Sequence, residues 1–386
     1  MRVARVITRL NRGGPARTLI AVEPLLRERG VESLVFTGEP GPGEEDLARS
    51  LMDAGVEVRR VPGLKRALRP WSDFAARREL ARALDVFAPD VVHTHTFKAG
   101  LLGRTAPVRR HARRVHTFHG HLFEGAFPRP FGDLLAAVER RLARRTDLCI
   151  TVSERVRAEL CDTWRVVPRE RTAVLPGVLL PDLARPADDA ERAAARARVL
   201  PAVGPWIGTL ARLTKVKAPS FFLDVAQRVL ATRKDARFVW IGDGDQREPF
   251  LDAIARRGLS ESVRFVGWQP DVRPWHLALD VEVLLSDQEG LPLSLIEATA
   301  LRTPVVATSV GGVAEIVREG VDGRLVPRRD VAAAAAAIVA QLAQSREDVA
   351  RARTLPATVT GLPPQEHAQR LVALYERVLA GPAIAA

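Results

Sequence analysis

Two glutamates, Glu289 and Glu297, bracket seven residues in the segment Glu289-Gly-Leu-Pro-Leu-Ser-Leu-Ile-Glu297. Its Gly-Leu-Pro turn runs directly into an apolar stretch. Proline suits the first turn of a helix, where its missing N–H is no loss. The amides around Leu291, Leu293 and Ser294 then point out of the helix start and form an anion site. Glu289 sits just before the turn and Glu297 about one and a half turns into the helix, so both approach a ligand held at its N-terminus. A phosphate answers the amides; sugar hydroxyls answer the acidic acceptors beside it.

Other groups carry matching chemistry. Gly208-Thr-Leu-Ala-Arg-Leu-Thr-Lys-Val-Lys217 follows a strand pattern and opens a helix. At the strand's carboxyl edge, Arg212 and Lys217 would neutralise a diphosphate, each charge-assisted contact contributing about 1.5–3 kcal/mol. Lys215 competes with Lys217 for that place. Near the N-terminus, Asn11-Arg-Gly13-Gly14-Pro15 joins a strand to a helix, and its glycines let backbone approach a phosphate or simply make a turn. Gly242-Asp-Gly244 and Val266-Gly-Trp-Gln269 are further strand-end turns, suited to a nucleotide base or to tight packing alike. Among the histidines, His119 stands out because its strand ends toward the expected cleft and Gly120 frees the turn. His95 is intermediate; His93, His111, His116 and His121 read as satisfied polar residues or remain unassigned. No Asp-x-Asp or His/Cys grouping makes a persuasive metal cage, so neither metal nor cofactor is expected.

The elements that must position these groups follow a repeated strand–turn–helix pattern, the mark of parallel α/β architecture. In the first half, strands are read at Val3–Thr8, Ser33–Thr37, Val56–Arg60, Asp90–His95, Val115–His119, Leu148–Val152 and Thr172–Leu175. An amphipathic helix spans Asp133–Arg145, with Leu135, Val138 and Leu142 on one face. Residues 180–205 turn Pro-, Asp- and Ala-rich, marking a linker or domain-edge helix. The second series comprises Trp206–Leu210, Arg237–Ile241, Val263–Val266, Val281–Leu285, Pro304–Ala307 and Arg324–Val326. Two doubly wound, Rossmann-like domains facing across a cleft would set the carboxyl ends of both sheets along it. The expected boundaries are 1–180, 181–365 and a terminal helix over 366–386 whose apolar positions are Leu371, Leu374, Tyr375 and Val378.

Composition agrees with two globular domains. The chain has 386 residues, 47% of them hydrophobic, and its two cysteines, Cys149 and Cys161, form no CxxC or zinc pattern. With no signal-peptide pattern and no membrane-spanning run, the expectation is a cytoplasmic protein. Charge is lopsided: residues 1–180 hold 32 Lys and Arg against 21 Asp and Glu, almost the whole net +12. An acidic membrane or an anionic acceptor would answer that half. Arg109, Arg110, Arg113 and Arg114, with Arg140, Arg141, Arg144 and Arg145, are the candidates for docking on the inner face of a membrane. Nucleic acid is not expected, because the basic segments lack interleaved aromatics or a nucleic-acid motif.

In this arrangement the chain resembles retaining GT-B glycosyltransferases of glycosyltransferase family 4. The resemblance rests on the Glu-x7-Glu segment, its continuation Thr303-Pro-Val-Val-Ala-Thr-Ser-Val-Gly-Gly-Val-Ala-Glu315, the Gly13-Gly14 loop, His93-Thr-His-Thr-Phe-Lys-Ala-Gly100 and Ile150-Thr-Val-Ser-Glu154. It implies metal-independent transfer of a sugar from a nucleoside-diphosphate sugar, most often a UDP-sugar, to an acceptor hydroxyl, whether of a lipid-linked, polysaccharide or natural-product acceptor. It places Glu297 on the ribose hydroxyls and Glu289 on a donor-sugar hydroxyl, with the backbone of Gly290, Leu291, Pro292 and Leu293 near sugar and phosphate. Arg212 and Lys217 match the diphosphate pair, Gly13 and Gly14 the phosphate-side loop, and His119 a histidine beside the reaction centre. His119, Arg212, Lys217 and Glu289 would thus carry the catalysis, and the terminal helix would return to the first domain. Three departures concern loop shape: Ala218 stands where the family usually has glycine, Leu285 replaces a proline, and Leu175-Pro-Gly177 lacks an asparagine. The rival readings are a sugar-nucleotide epimerase of the same fold and a nonenzymatic anion or nucleic-acid binder.

Overall fold

The computed structural model describes residues 1–11, 13–41, 46–65, 67, 69–108, 112–120, 123, 129–200, 204–344 and 361–382. Arg109, Arg110, His111 and His121 lie outside the described residues. The chain divides into two units, Met1–Val178 with Leu362–Ala386, and Leu179–Gly361.

Unit 1 is a seven-stranded parallel sheet: β1 (Arg2–Arg9), β2 (Glu32–Gly38), β3 (Glu57–Arg60), β4 (Val91–His95), β5 (Arg113–Phe118), β6 (Leu148–Thr151) and β7 (Thr172–Val174), in the order β3-β2-β1-β4-β5-β6-β7. Its helices are α1 (Gly14–Glu28), α2 (Ala48–Asp53), α3 (Pro70–Phe87), α4 (Phe97–Thr105), α5 (Arg129–Ala143) and α6 (Glu154–Ala158). Helices on the sheet's faces bury β1, β4 and β6 nearly throughout, whereas the edge strand β3 is partly exposed. Polar residues inside such strands must find partners within the fold. Arg5 in β1 and His93, Thr94 and His95 in β4 are buried and do so. The C-terminal helix (Pro364–Ala380) packs on α1, burying Leu371, Tyr375 and Val378, while Leu374 is half-buried. Leu362 N donates to Gly177 O at 3.0 Å, which fixes where this last segment joins unit 1.

Unit 2 contains α7 (Pro181–Ala184), α8 (Asp189–Val199), β8 (Trp206–Leu210), α9 (Pro219–Leu230), β9 (Arg237–Ile241), α10 (Arg247–Arg256), β10 (Val263–Gly267), α11 (Arg273–Ala278), β11 (Val281–Leu284), α12 (Leu293–Ala300), β12 (Val305–Thr308), β13 (Gly323–Val326) and α13 (Val331–Leu342). Its six parallel strands run β10-β9-β8-β11-β12-β13. Asp188 and Asp330 cap α8 and α13 by accepting from the Glu191 and Ala333 amides, at 2.7 and 2.9 Å. On α9, Phe221, Phe222, Val225, Ala226 and Val229 enter the core with Trp240 and Phe238.

Both sheets reverse direction of strand order beside their first strand, between β1 and β4 and between β8 and β11. Ligands of open α/β sheets bind at the carboxyl ends of such strands. In unit 2 those ends lead into Arg212–Lys217 and Glu289–Glu297; in unit 1 they lead into Gly13–Gly14 and past His95.

Candidate functional site

The unit 2 site is built from two loops stitched together. Asp287 N donates to Val216 O at 2.8 Å, joining the loop after β11 to the one after β8. Beside that link, Lys217 Nζ donates to Glu289 Oε1 at 2.5 Å, with both side chains largely buried. Lys217 closes a short 3-10 turn over Lys215–Lys217, whereas Lys215 is exposed; the structure thus separates the two lysines. Ala218 follows with φ +51° and ψ +57°, a left-handed conformation that glycine adopts more readily. The loop therefore takes this shape without glycine, and Ala218 is buried in the core.

Arg212 is exposed two residues beyond β8. Its loop is fixed from below: Ala211 N donates to Ile241 O and Leu213 N to Asp243 O, both at 3.0 Å, and Trp240 Nε1 donates to Ala211 O at 3.1 Å. Gly242 lies so close beneath (φ +131°) that a Cβ would stand 2.0 Å from Ala211 O. Packing against this loop gives the Gly-Asp-Gly turn a structural task.

The α12 start differs slightly from the sequence expectation. Pro292 is the N-cap, with φ −72° and ψ +118°, and the helix begins at Leu293. The residue before a helix tolerates proline for the same reason as the first turn, since neither needs its N–H for the helix ladder. Gly290 O accepts from Gly312 N at 2.8 Å, and Gly311 (φ +51°) passes so near that a Cβ would be 1.8 Å from Glu289 O. The Gly311-Gly312 pair therefore holds the turn that carries Glu289.

Glu297 is 2% exposed on α12 and does not stand by itself. His276 on α11 approaches its Oε2 through Nε2 at 3.2 Å and approaches Glu282 Oε2 through Nδ1 at 2.7 Å. Burial would lower the pKa of His276, but the two carboxylates outweigh it and hold the imidazole at about 9. Burial raises that of Glu282. Sequence reasoning missed His276 and Glu282. The available signal was a glutamate inside the apolar strand Val281-Glu-Val-Leu284, which demands a partner.

Unit 1 gathers histidines rather than carboxylates. His119 lies just past β5, and its Nε2 is 3.1 Å from His95 Nδ1. Arg5 donates to His95 Nε2 from Nε at 3.3 Å and Nη2 at 3.0 Å. That nitrogen must therefore accept, so His95 carries its proton on Nδ1 and donates to His119 Nε2. A neutral His119 then keeps its own proton on Nδ1. Burial and the nearby Arg5 charge lower its pKa to about 4, so the neutral form prevails at pH 7. Arg5 in turn pairs with buried Glu23 at 3.0 Å. His93 bonds Tyr375 Oη at 2.6 Å and Thr117 Oγ1 at 2.7 Å, and His116 bonds Thr94 Oγ1 at 2.7 Å. Arg5, Glu23, His367 and the polar role of Tyr375 had also escaped the sequence reading. A cavity of about 30 Å³, lined by Arg5, His93, His95, His119 and His367, lies among them. Gly13 is the extended N-cap of α1 and Gly14 its first residue, both half-buried.

The arginines proposed for lipid docking divide. Arg113 is largely buried, pairs with Asp147 at 3.2 Å and donates to Gly381 O, which removes it from an open basic face. Arg140, Arg141, Arg144 and Arg145 are exposed. Among the described residues no helix is long and apolar enough to cross a membrane, and no group of three His, Cys, Asp or Glu could hold a metal ion.

Two family models match the chain. "Glycosyltransferase Family 4" covers residues 12–178 and "Glycosyl transferases group 1" covers residues 204–344. A D-inositol 3-phosphate glycosyltransferase of Thermobispora bispora is 31% identical over 346 residues, 82% of this chain and 79% of that one. A 2-deoxystreptamine N-acetyl-D-glucosaminyltransferase of Streptomyces fradiae is 31% identical over 373 residues, 88% and 86% of the two chains. Among solved structures, Anabaena HepE in complex with UDP-glucose superposes with TM-score 0.80 at 19% identity, covering 98% of this chain and 100% of its own.

Proposed function

The chain belongs to glycosyltransferase family 4, and from that premise we propose that it moves a sugar, with retention, from a UDP-sugar to an acceptor hydroxyl. As a GT-B glycosyltransferase it is an enzyme, which sets aside the reading of a nonenzymatic anion binder. The observation that carries the donor assignment is the joined pair of loops at the β8/β11 strand ends, where Lys217 and Glu289 meet beside the start of α12.

In this reading Arg212 and Lys217 bind the diphosphate, and the amides of Leu293 and its neighbours add fixed dipoles. Glu289 and the backbone of Gly290–Leu293 hold the sugar, and Glu297 accepts from the ribose hydroxyls. The two cations stabilise the charge that develops on the departing diphosphate without a metal ion. The acceptor oxygen attacks from the face the phosphate leaves: the C1–O bond to acceptor forms as the C1–O bond to phosphate breaks. The acceptor proton passes to the leaving phosphate oxygen. His119 offers a neutral Nδ1–H donor, the kind of group that holds a hydroxyl oxygen, and Gly13–Gly14 allow close backbone approach to phosphate.

For the acceptor, the two relatives' names share a chemistry, since inositol and deoxystreptamine are both polyhydroxylated six-membered rings. We extend that class, a small cyclitol, to this chain. A screen of UDP-sugars against cyclitols, read by mass spectrometry, tests it. UDP release with glycosylated cyclitol supports the proposal. Donor isomerised without acceptor would instead mark an epimerase, and no turnover of any sugar nucleotide would refute both.

The basic half is proposed to dock peripherally on anionic lipid, at the cytoplasmic face of a membrane. Trp71 and Phe74 on α3 are exposed, at 90% and 51%, beside exposed Arg69 and Arg78. Flotation with acidic but not neutral vesicles is the expected result; equal behaviour with both would end the idea.

A further inference from the structure

The interior of unit 2 holds a buried imidazole between two buried carboxyl groups. His276 is fully buried with a carboxylate oxygen at each ring nitrogen, Glu282 Oε2 on one side and Glu297 Oε2 on the other. Ionised carboxylates only accept, and a neutral imidazole donates once. Two protons must therefore be shared across the two contacts, as an imidazolium or as a neutral ring beside one protonated carboxyl. With both nitrogens engaged, the ring has no freedom to turn. Thr303 Oγ1 also donates to His276 O at 2.7 Å, tying α11 to the segment after α12.

Glu282 is the telling member. It sits in β11 among Val281, Val283 and Leu284, and is 1% exposed. Its Oε1 has no hydrogen-bond partner. Apolar residues of similar volume usually serve such a position as well or better. A buried carboxylate with one oxygen unsatisfied is thus a cost with no return in packing.

We infer that His276 and Glu282 are positioning residues for Glu297, keeping the imidazole doubly protonated so that it fixes the plane and charge of the carboxylate that receives the nucleotide ribose. This deepens the proposed donor site and rests on the ribose role of Glu297. Glu282 from β11 and Glu297 from α12 are the charged groups that face the ring. On α8, which also packs against α11, Glu191 pairs with Arg273 and Arg185, and Arg192 donates to Leu301 O. Removing the Glu282 charge lowers the affinity of the imidazole for its second proton, whereas removing His276 takes away the ring nitrogen 3.2 Å from Glu297 Oε2.

The test is UDP affinity of the full-length protein from pH 6 to 10, for wild type, Glu282→Gln, His276→Gln and Glu297→Gln, with melting temperatures alongside. Wild-type binding is expected to weaken above about pH 9, where the imidazole loses its proton. Amine side chains in general also titrate at high pH, so the decisive readout is the variant. Glu282→Gln should shift the alkaline edge downward, and His276→Gln should weaken UDP binding about tenfold at pH 7, the loss of one charge-assisted hydrogen bond. An unshifted edge in Glu282→Gln overturns the inference while leaving the ribose reading intact. If Glu297→Gln binds UDP as well as wild type, the ribose reading itself fails and the inference falls with it. Histidine 15N NMR of the wild-type chain serves if the variants do not fold. A His276 ring carrying both protons at pH 7.5 supports the inference; a ring carrying a single proton, with the second on Glu282 or Glu297, overturns it.

Discussion

Lowering the pH from 7.5 to 5.5 should destabilise unit 1 selectively. His93, His95, His116 and His367 are all at least 95% buried, and burial together with neighbouring positive charge lowers the pKa of each, for His367 to about 3. In the unfolded chain the same side chains titrate near the ordinary value of 6.5. A base whose folded pKa is depressed contributes full stability above 6.5 and loses it as the unfolded form takes up protons below that pH. At pH 5.5, one unit below the unfolded pKa, each such histidine contributes a little over 1 kcal/mol less, or about 5 kcal/mol for the four. That is comparable with the entire stability of many domains. His276 in unit 2 has the opposite sign: its pKa is raised to about 9, so its contribution is fully present below 6.5 and lost as pH rises toward 9. Amide hydrogen exchange monitored at both pH values separates the units. Protection in β1, β4 and β5 should fall steeply by pH 5.5 while that in β8, β11 and β12 holds. Equal protection of β1 and β4 at the two pH values would refute the reasoning.

Three further outcomes follow from the unit 2 geometry. Lys217→Ala or Glu297→Ala should lower kcat/KM on the order of a hundredfold, because each removes a charged group that acts on the donor; wild-type rates in both would remove these residues from the site. Ala218→Gly should change stability by less than about 0.5 kcal/mol, since relief of left-handed strain of about 1 kcal/mol offsets a lost buried methyl and added chain entropy. A loss above about 1.5 kcal/mol in chemical denaturation would show the strain argument to be wrong. Gly311→Ala should cost about 3 kcal/mol or the donor-site turn, because its Cβ would meet Glu289 O at 1.8 Å with φ at +51°; unchanged melting together with unchanged UDP affinity would contradict that reading.

The parallel architecture was legible because strands buried on both faces leave apolar runs between turn residues, and both sheets formed where those runs lie. The Glu-x7-Glu segment was legible because turn, proline and helix are adjacent in sequence. What stayed hidden depends on contacts between distant residues. Arg5 sits in the strand pattern Val3-Ala-Arg-Val-Ile7, and nothing local says that Glu23 on α1 and His95 on β4 will enclose it. Tyr375 reads as an apolar position of an amphipathic helix, yet its hydroxyl reaches His93, 282 residues away in sequence. The His276–Glu282 pair was closer to hand, since a charged residue within a buried strand announces an unseen partner. Its join to Glu297 required the packing of α11, β11 and α12.

The most direct measurement is calorimetric titration of the wild-type protein with UDP, repeated on Lys217→Ala and Glu297→Gln. One site per chain in wild type, weakened at least tenfold in each variant while the fold persists, is the expected outcome. Failure of wild type to bind UDP or any other nucleoside diphosphate would contradict the account.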